Sequence, residues 1–344
     1  TPTSIIQRVV FAGNGGGVAY TVGKDGKSYV VHNGKSGSIY KSFCTVVLSP
    51  DGSRIAYGAV VEDKWRMVVH GVAGELFDEV NDPLFSPDGR HVLYPAMKDG
   101  VRHLVVDTTA NKGARSHYRT PQFSGDSASI IYIDNIDKTD YGRLVVCDIK
   151  FNKERIIDSG VTSFGLNSDK SAVAAISRNK AKRERIIQFN FAKPDAVMNG
   201  AEYDKVHSAE FASAGTDLAY FGERQGKIYG VFKGQEEILP EGLTPGTSVI
   251  NQAGKSVGVL MSANNAVYLY QMFRNSGRKG NAYDEAGWLV YSSDGAMSAF
   301  AARKGESWFV VVNGTEGPKF DRVVTPKFSP DGKYLVYRAR KEGK

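Results

Sequence analysis

Short apolar runs alternate with polar turns along the whole chain, and one turn sequence occurs three times. Ser-Pro-Asp-Gly occupies positions 49–52, 86–89 and 329–332, each time after an apolar residue and before a short apolar run that ends in tyrosine. Proline presets φ at the first turn position, and glycine adopts the positive φ that closes a tight turn between antiparallel strands. The pattern predicts a β-hairpin that recurs along the chain.

Weaker copies of this hairpin appear when the template is moved along the sequence. Successive copies are 37 to 45 residues apart, and most carry an aromatic residue three positions before the aspartate position or six positions after it. The aspartate position of the nine copies is occupied by Asn14, Asp51, Asp88, Asp126, Asp169, Ala214, Ala253, Asp294 and Asp331. The copies at Ala214 and Ala253 fit least well. The repeat predicts nine hairpins of one kind.

Each period contains two further extended segments. The first is β-branched and predicts a third strand, at 29–31, 67–69, 104–106, 144–146 and 309–312. The second is more polar and predicts a fourth strand, at 76–78, 156–158, 203–204, 283–284 and 320–321. Four antiparallel strands in about 40 residues make one propeller blade. The sequence therefore predicts an all-β fold, a single closed β-propeller of four-stranded antiparallel blades.

Aspartates recur at two positions of the repeat. One set occupies the hairpin turns, where aspartate suits the turn itself and offers too few converging ligands for calcium. The other ends the fourth segments, at Asp78, Asp158, Asp204, Asp284 and Asp321. A role repeated in every blade favours packing or hydrogen bonding over catalysis, because an active site needs asymmetry.

The residues of the repeat resemble a known family. The pattern Phe-Ser-Pro-Asp-Gly-x-x-apolar-x-Tyr from Phe85 to Tyr94 resembles the WD40-like, PD40-type repeats of bacterial propellers related to the Tol-system propeller protein (TolB-like). The stretch from Trp308 to Asp321 is similar to an uncharacterised branch of those repeats. The resemblance covers nearly the whole chain and implies a propeller in a periplasmic or otherwise extracytoplasmic bacterial compartment. The Trp-Asp and Gly-His pairs of eukaryotic WD40 blades are absent, so their partners are not implied.

Nine hairpins but only eight third strands can be counted, and this affects how a ring would close. Residues 5–9 align with 319–323, which indicates that residues 1–8 form an outer strand without a blade of its own. That strand would close on the C-terminal hairpin at 325–340, in one domain spanning 1–344. Nine blades are favoured, and eight remain the alternative if one weak copy is misread.

Composition limits the remaining possibilities. With 41% hydrophobic residues, the chain can bury a large core, and it contains no apolar stretch long enough for a transmembrane helix. It begins at Thr1, which is compatible with a mature or trimmed product. Cys44 and Cys147 fall about three blades apart, so we expect two free thiols rather than a disulfide.

No catalytic, metal or cofactor motif is found in the sequence. The six histidines lack metal-ligand spacing, and the glycine run 13–17 lacks the Lys-Ser/Thr of a phosphate loop. No Gly-x-Ser-x-Gly nucleophile elbow occurs. We therefore predict that the chain is not an enzyme and that it carries no metal and no cofactor.

Irregular loops over a rigid fold are the natural binding positions. A basic cluster lies in the connection that is predicted to be the longest between a second and a third strand. It consists of Lys180, Lys182, Arg183 and Arg185. It could bind an acidic protein, a lipid headgroup or nucleic acid, or be a solvated hairpin tip. Longer connections are also predicted at 134–141 and 274–280. Tyr141, Arg183 and Arg274 are the contact candidates from the three loops.

Together these features favour a non-catalytic propeller that acts as a protein-binding scaffold, with another protein as its partner. No nucleic-acid partner is expected, because no aromatic residues interleave with the basic cluster. Two alternatives remain open. The propeller could bind or process a small molecule in its central channel, or it could be the substrate-gating part of a larger hydrolase.

Overall fold

The computed structural model describes residues 5–24, 26–111, 118–211, 215–240, 244–250, 256–273 and 276–344. Within these ranges every regular element is a β-strand, and within each sheet the strands pair antiparallel in consecutive order, except that β9 pairs with β11. The all-β class is therefore confirmed. The chain divides into two compact units, Thr1–Thr162 and Ser163–Lys344.

The first unit contains four sheets. Sheet 1 comprises β1 (Ile5–Phe11), β2 (Val18–Lys24), β3 (Lys27–His32) and β4 (Lys35–Tyr40). Sheet 2 comprises β5 (Val47–Leu48), β6 (Ile55–Val61), β7 (Lys64–Val69) and β8 (Val72–Ala73). Sheet 3 comprises β9 (Glu79–Val80), β10 (Leu84–Phe85), β11 (Val92–Lys98), β12 (Val101–Val106) and β13 (Thr109–Ala110). Sheet 4 comprises β14 (Tyr118–Phe123), β15 (Ser129–Asp134), β16 (Gly142–Asp148) and the first part of β17 (Arg155–Leu166).

The second unit begins inside β17 and contains four sheets and a hairpin. Sheet 5 comprises the last residues of β17 with β18 (Ala172–Arg178), β19 (Glu184–Asn190) and β20 (Lys193–Asn199). Sheet 6 comprises β21 (Lys205–Phe211), β22 (Leu218–Arg224), β23 (Lys227–Phe232) and β24 (Gln235–Ile238). Sheet 7 comprises β25 (Thr244–Ile250), β26 (Ser256–Ala263), β27 (Ala266–Phe273) and β28 (Ser276–Tyr283). Sheet 8 comprises β29 (Glu285–Tyr291), β30 (Ser298–Lys304), β31 (Ser307–Val312) and β32 (Thr315–Glu316), and the terminal hairpin comprises β33 (Arg322–Phe328) and β34 (Leu335–Arg340).

The repeated turn is held by its own side chains. The Ser49 hydroxyl donates to the Asp51 carboxylate at 2.5 Å, and that carboxylate also accepts the backbone N–H of Ser53 at 3.1 Å. Hydrogen bonds from Ser49 and Ser53 lower the pKa of Asp51 to about 2. Gly52 completes the turn with φ of 74°. The aspartate is thus a structural turn residue, as predicted, and the same bond recurs in Ser86–Asp88, Ser124–Asp126, Ser292–Asp294 and Ser329–Asp331.

The hydrophobic core of each unit lies between successive sheets. In β15 the run from Ile130 to Ile133 is fully buried, so apolar residues occupy both faces of the strand without alternation. Ile130 and Tyr132 pack in one cluster with Leu93 and Leu104 of sheet 3. Second strands such as β15 therefore contribute buried side chains from both of their faces.

An aromatic ring that follows or ends the fourth strand packs against the next sheet in three places. Tyr203 is the best-defined case: it is fully buried with Leu218 and Tyr220 of sheet 6, and Gly222 leaves room for its ring. A cation from the end of the next sheet's second strand lies over each ring, and that cation also pairs with a glutamate. The three sets are Phe77 with Lys98 and Glu75, Tyr203 with Arg224 and Glu236, and Tyr283 with Lys304 and Glu316. Each of these sheets is fastened to its successor by a buried ring and a charged pair.

The aspartates that follow these rings have the hydrogen-bonding role that the repeat predicted. The Asp204 carboxylate accepts the backbone N–H of Gln225 at 2.8 Å, and the Asp284 carboxylate accepts that of Gly305 at 2.7 Å. Both N–H groups belong to the turn that follows the second strand of the next sheet. Because this turn recurs, the aspartate recurs with it.

All nine predicted hairpins are present among the described residues. The two weakest copies are β21–β22 and β25–β26, although Ala214 and Ala253 themselves lie outside the described residues. Eight of the hairpins are followed by a third strand that pairs with the second, and in the described chain β34 pairs with β33 alone. The nine-blade or eight-blade ring and its closure stay predictions.

The fourth strands begin earlier than predicted. β8 starts at Val72, directly after a turn in which His70 and Gly71 both have positive φ, whereas the predicted residue Phe77 makes only a single bridge to Trp65. Tyr203 and Phe320 make equivalent single bridges. Two consecutive positive φ values reverse the chain within two residues, so pairing resumes at once.

The N-terminal residues have a different place from the predicted one. Ile5–Phe11 form one strand in which Ile5 pairs with Gly23 and Arg8 with Thr21 of β2, across a register shift. The described part of the predicted outer strand, residues 5–8, is therefore the start of the first strand of sheet 1. Residues 1–4 lie outside the described residues.

Two predicted connections also differ. The longest connection between a second and a third strand that the structure describes is 135–141, rather than the basic loop at 179–183. Residues 276–280 belong to β28 rather than to a loop, because a register shift opposite Tyr268 and Tyr270 accommodates the additional length within the sheet.

Candidate functional site

The loop at 135–141, which contains Tyr141, is held by its own hydrogen bonds. The Asp137 carboxylate accepts the backbone N–H of Thr139 at 2.7 Å and that of Tyr141 at 3.2 Å. Asp140 pairs with Arg119 of β14 at 2.5 Å. Tyr141 is half-buried. The loop therefore has a defined conformation in the first unit, and its role in binding stays a prediction.

The basic cluster of the second unit is only partly available to a partner. Lys180 and Lys182 are exposed at the tip of the β18–β19 turn and make no ion pair with a described residue. Arg183 is half-buried and pairs with Asp204 at 3.0 Å and with Glu202 at 3.9 Å. Arg185 lies half-buried in β19. The cluster is thus two free lysines beside two engaged arginines, and Arg274 lies outside the described residues.

The terminal hairpin has one packed face and one exposed face. Phe328, Leu335 and Tyr337 pack with Val310 and Ala301 of sheet 8, and Tyr337 stacks edge-on against Phe320. On the opposite face of β34, Tyr334 is 69% exposed and Val336 is 66% exposed. Arg338 and Arg340 extend this face, since alternate residues of a strand share one side. The exposed face therefore combines apolar and basic side chains.

A cleft of about 550 Å³ lies between sheets 7 and 8, entirely within the second unit. Its buried lining includes Leu269, Tyr291 and Phe300, and its charged lining consists of Arg278 and Lys279 of β28. The remaining lining is polar or small and is contributed by Ser256, Gln271, Gly280, Asn281, Tyr283, Gly295, Ala296, Ser298, Asn313, Gly314 and Thr315. The cleft thus presents an apolar floor and a cationic edge.

Tyr283 lines this cleft and contains a buried hydroxyl without a hydrogen-bond partner in the described structure. Burial raises the pKa of Tyr283; the Asn281 amide lies close enough to oppose this rise but does not reach hydrogen-bond geometry. Tyr203 occupies the equivalent position two sheets earlier, and its hydroxyl donates to Glu236 at 2.6 Å. The two tyrosines differ in one hydrogen bond.

Replacing each of these tyrosines by phenylalanine should have opposite effects. We expect Tyr283→Phe to raise the free energy of unfolding by about 1 kcal/mol, because an unsatisfied buried hydroxyl is removed. Tyr203→Phe should lower it by about 1–2 kcal/mol, because a charge-assisted hydrogen bond is lost. Urea unfolding of both variants measures the difference. A Tyr283→Phe protein as destabilised as Tyr203→Phe would show that the Tyr283 hydroxyl has a partner.

The described residues contain no cluster of metal-ligating side chains. No group of three or more histidine, cysteine, aspartate or glutamate side chains is placed to hold a metal ion within the described ranges. Cys44 and Cys147 are both free thiols, as expected. Across the same ranges no helix is long and apolar enough to span a bilayer.

Comparison with solved structures supports the fold alone. The chain is similar to a structure of the eukaryotic initiation factor, with 13% identity, a TM-score of 0.54, and coverage of 98% of this chain and 82% of that one. Weaker similarity extends to the Dos1 propeller (13% identity, TM-score 0.46, 90% and 91% covered) and to the β-propeller domain of the Trilobed protease from Pyrococcus furiosus (12% identity, TM-score 0.41, 82% and 97% covered). No protein-family model and no curated protein sequence matches the chain.

Neither the exposed hairpin face nor the cleft was predicted from the sequence. The run from Tyr334 to Tyr337 is continuously apolar, so its composition does not distinguish a packed face from an exposed one. The alternate spacing of Arg338 and Arg340 is the feature of the sequence that indicates an exposed face on this strand. For the cleft no such signal exists, because its lining residues come from eight separate segments.

Proposed function

We propose that this chain is a non-catalytic propeller module that binds another protein through the edge of its terminal hairpin that the described residues leave unpaired. In this proposal the sheets are blades of one propeller that spans the chain, with nine blades rather than eight. The regular hairpins and the four-stranded antiparallel sheets support the blade assignment. The resemblance to Tol-system-related repeats supports a periplasmic or other extracytoplasmic location.

The observation that carries the proposal is the direction in which the backbone N–H and C=O groups of β34 point. The Tyr334 carbonyl accepts the Ser329 N–H at 2.8 Å, and the Arg340 carbonyl accepts the Asp321 N–H at 2.9 Å. Even-numbered residues of β34 therefore face β33. Since hydrogen-bonding direction alternates along a strand, the odd-numbered residues direct their N–H and C=O groups to the open edge. That edge is a template for one more strand.

The other sheets indicate how such a strand would pack. In sheet 8 the second strand, β30, lies between β29 and β31, and Ala299 is fully buried. Val336 occupies the equivalent position of β34 but is 66% exposed. Ala299 is covered by the terminal hairpin, which packs on that face of sheet 8, so an added edge strand would shield only the flank of Val336. The gain expected from strand addition is therefore mainly the pairing of the outward backbone groups of β34.

The charges on the exposed face determine the chemistry of the partner. Arg338 and Arg340 make no ion pair with any described residue, and Lys333 and Lys341 lie beside them. A second copy of this hairpin would bring like charges together across the new strand pair. An acidic strand would instead place carboxylates beside both arginines. The favoured occupant is an extended acidic segment of a partner protein, with alternating β-branched and acidic residues.

Peptide binding tests the proposal. We expect a twelve-residue peptide of alternating valine and glutamate to bind this chain, and its valine–lysine counterpart not to bind. Ala339→Pro should weaken binding about tenfold, because it removes one outward N–H while Ala339 is exposed and faces away from β33. Fluorescence anisotropy with labelled peptides measures both affinities.

The matched control is Ala339→Val, which keeps the N–H and should leave the affinity within about twofold. Reversing both charges in Arg338→Glu/Arg340→Glu should exchange the preference between the two peptides. If neither peptide binds, or if Ala339→Pro binds as tightly as the unmodified chain, strand addition at β34 is not the binding mode.

A further inference from the structure

We infer that the cleft between sheets 7 and 8 binds a small organic anion, an acidic or phosphorylated sugar, through Arg278. This site is separate from the hairpin edge and does not depend on protein binding there. Its volume of about 550 Å³ falls within the range of small-molecule sites and is sufficient for a monosaccharide.

The charge of the cleft is the first argument. Arg278 and Lys279 are its only charged lining residues, and no carboxylate lines it. The carboxylates next to lining residues are already engaged: Asp294 accepts the Ser292 hydroxyl at 2.6 Å, and Glu316 pairs with Lys304 at 3.0 Å. An anion that enters the cleft therefore meets the Arg278 guanidinium without a competing negative charge in the lining.

The absence of an internal partner for Arg278 is the second argument. Arg183, Arg224 and Arg303, elsewhere in the same unit, each pair with a described glutamate or aspartate. Arg278 makes no ion pair with a described residue, although it lies on the edge strand of its sheet at the cleft. A guanidinium presents paired N–H donors that match a carboxylate or phosphate group in a bidentate arrangement.

Lys279 directs its ammonium away from the cleft. That ammonium lies 3.7 Å from the centroid of the Tyr268 ring, which packs with the cluster of sheets 6 and 7 and does not line the cleft. Arg278 instead pairs across the strands with Gln271, which lines the cleft, and cross-strand partners share one face of a sheet. Arg278 is therefore the residue that can supply the bidentate contact.

The rest of the lining suits a hydroxyl-rich body. Gln271, Asn281 and Asn313 each offer an amide, which both donates and accepts hydrogen bonds, as sugar hydroxyls require. Gln271 also donates to the Tyr291 hydroxyl at 3.3 Å, which fixes its orientation. The buried floor of Leu269, Tyr291 and Phe300 provides an apolar surface for the C–H face of a ring. The positive charge, the amide side chains and the apolar floor together indicate an anionic sugar.

Isothermal titration with four probes tests this inference. Glucose 6-phosphate and glucuronate should bind, whereas glucose and inorganic phosphate should each bind at least about tenfold more weakly, since each lacks one half of the recognised chemistry. If inorganic phosphate binds as tightly as glucose 6-phosphate, the sugar class is wrong. If glucose binds as tightly as glucose 6-phosphate, the role assigned to Arg278 is wrong.

Substitution of Arg278 tests whether the anionic sugar binds in this cleft. Arg278→Ala should reduce the affinity for both anionic sugars by at least about tenfold, as a bidentate charge-assisted contact is lost. Lys227→Ala, which removes an exposed lysine of sheet 6 away from the cleft, should leave it unchanged. Equal affinity in Arg278→Ala and the unmodified chain would overturn the inference. Circular dichroism of each variant confirms that the fold is retained, and the hairpin peptide serves as an independent readout.

Discussion

Replacing Gly52 by alanine is expected to destabilise the protein by about 3 kcal/mol, through positive φ and through a backbone clash. Gly52 has φ of 74°, where alanine is strained. An added Cβ would also lie 2.5 Å from the Gly17 nitrogen and 2.8 Å from the Gly16 carbonyl carbon. Both atoms belong to the turn of sheet 1, so relief requires sheets 1 and 2 to separate locally.

Gly34→Ala is the matched control for this prediction. Gly34 has φ of 80°, and its added Cβ would meet no atom within 4 Å, so the variant reports backbone strain alone. We expect a loss of about 1 kcal/mol there. Urea unfolding measures the loss of free energy of unfolding in each variant, and the difference between the two losses is the cost of the backbone clash. Equal losses would mean that the approach of the two glycine turns is looser than the structure indicates.

Asp134→Ala is the second substitution with a large expected effect. Asp134 is fully buried, and its two carboxylate oxygens accept hydrogen bonds from Nε and Nη2 of Arg143 at 2.8 Å and 2.9 Å. Removing one partner of a buried pair leaves the other charge partly desolvated. Arg143 retains some access to water at 24% side-chain exposure, so we expect a loss of about 3 kcal/mol rather than the upper limit.

Asp140→Ala provides the comparison on the same sheet. Asp140 also pairs with an arginine, Arg119, but its side chain is 72% exposed, and such pairs contribute less than about 1 kcal/mol. Thermal and urea unfolding should therefore separate the two variants clearly. If both lose the same stability, burial does not determine the contribution of the Asp134–Arg143 pair. Asp134→Asn, which keeps the size of the side chain, should fall between them.

Sequence reasoning recovered the parts of the fold that local chemistry determines. The turn at Asp51 and Gly52 is specified within a few residues, since the serine, aspartate and glycine hold it without help from the rest of the chain. The nine hairpins could therefore be placed in register. The third strands were recovered for a similar reason, because β-branched runs such as Phe309 to Val312 suit strands covered on both faces.

Elements at the sheet edges were harder to predict. The fourth strands are short and polar, so their start is determined by the preceding turn rather than by a hydrophobic pattern, and β8 was placed several residues late. Residues 5–8 were separated from β1 because a register shift interrupts the alternation that a strand would otherwise show. Edge strands contact fewer side chains, and the sequence constrains them less.

The candidate binding residues show where charge patterning alone misleads. Arg183 counts as part of a basic cluster in the sequence, but in the fold it faces Asp204, which lies 21 residues away. The pairing depends on the return of the chain after sheet 5, which no local pattern reports. Arg278 is the opposite case: no local pattern marks it in the sequence, yet in the fold it lines the cleft and makes no ion pair with a described residue.

The buried rings that join successive sheets affect how the protein unfolds. Tyr203 is adjacent in sequence to sheet 5, yet it is buried among residues of sheet 6. If sheet 6 opens, the ring and its charged neighbours are exposed, and sheet 5 loses part of its own core. Stability is then shared between nearest neighbours along the chain. The smallest segment that can unfold independently is therefore larger than one repeat, even though the sequence repeats one sheet at a time.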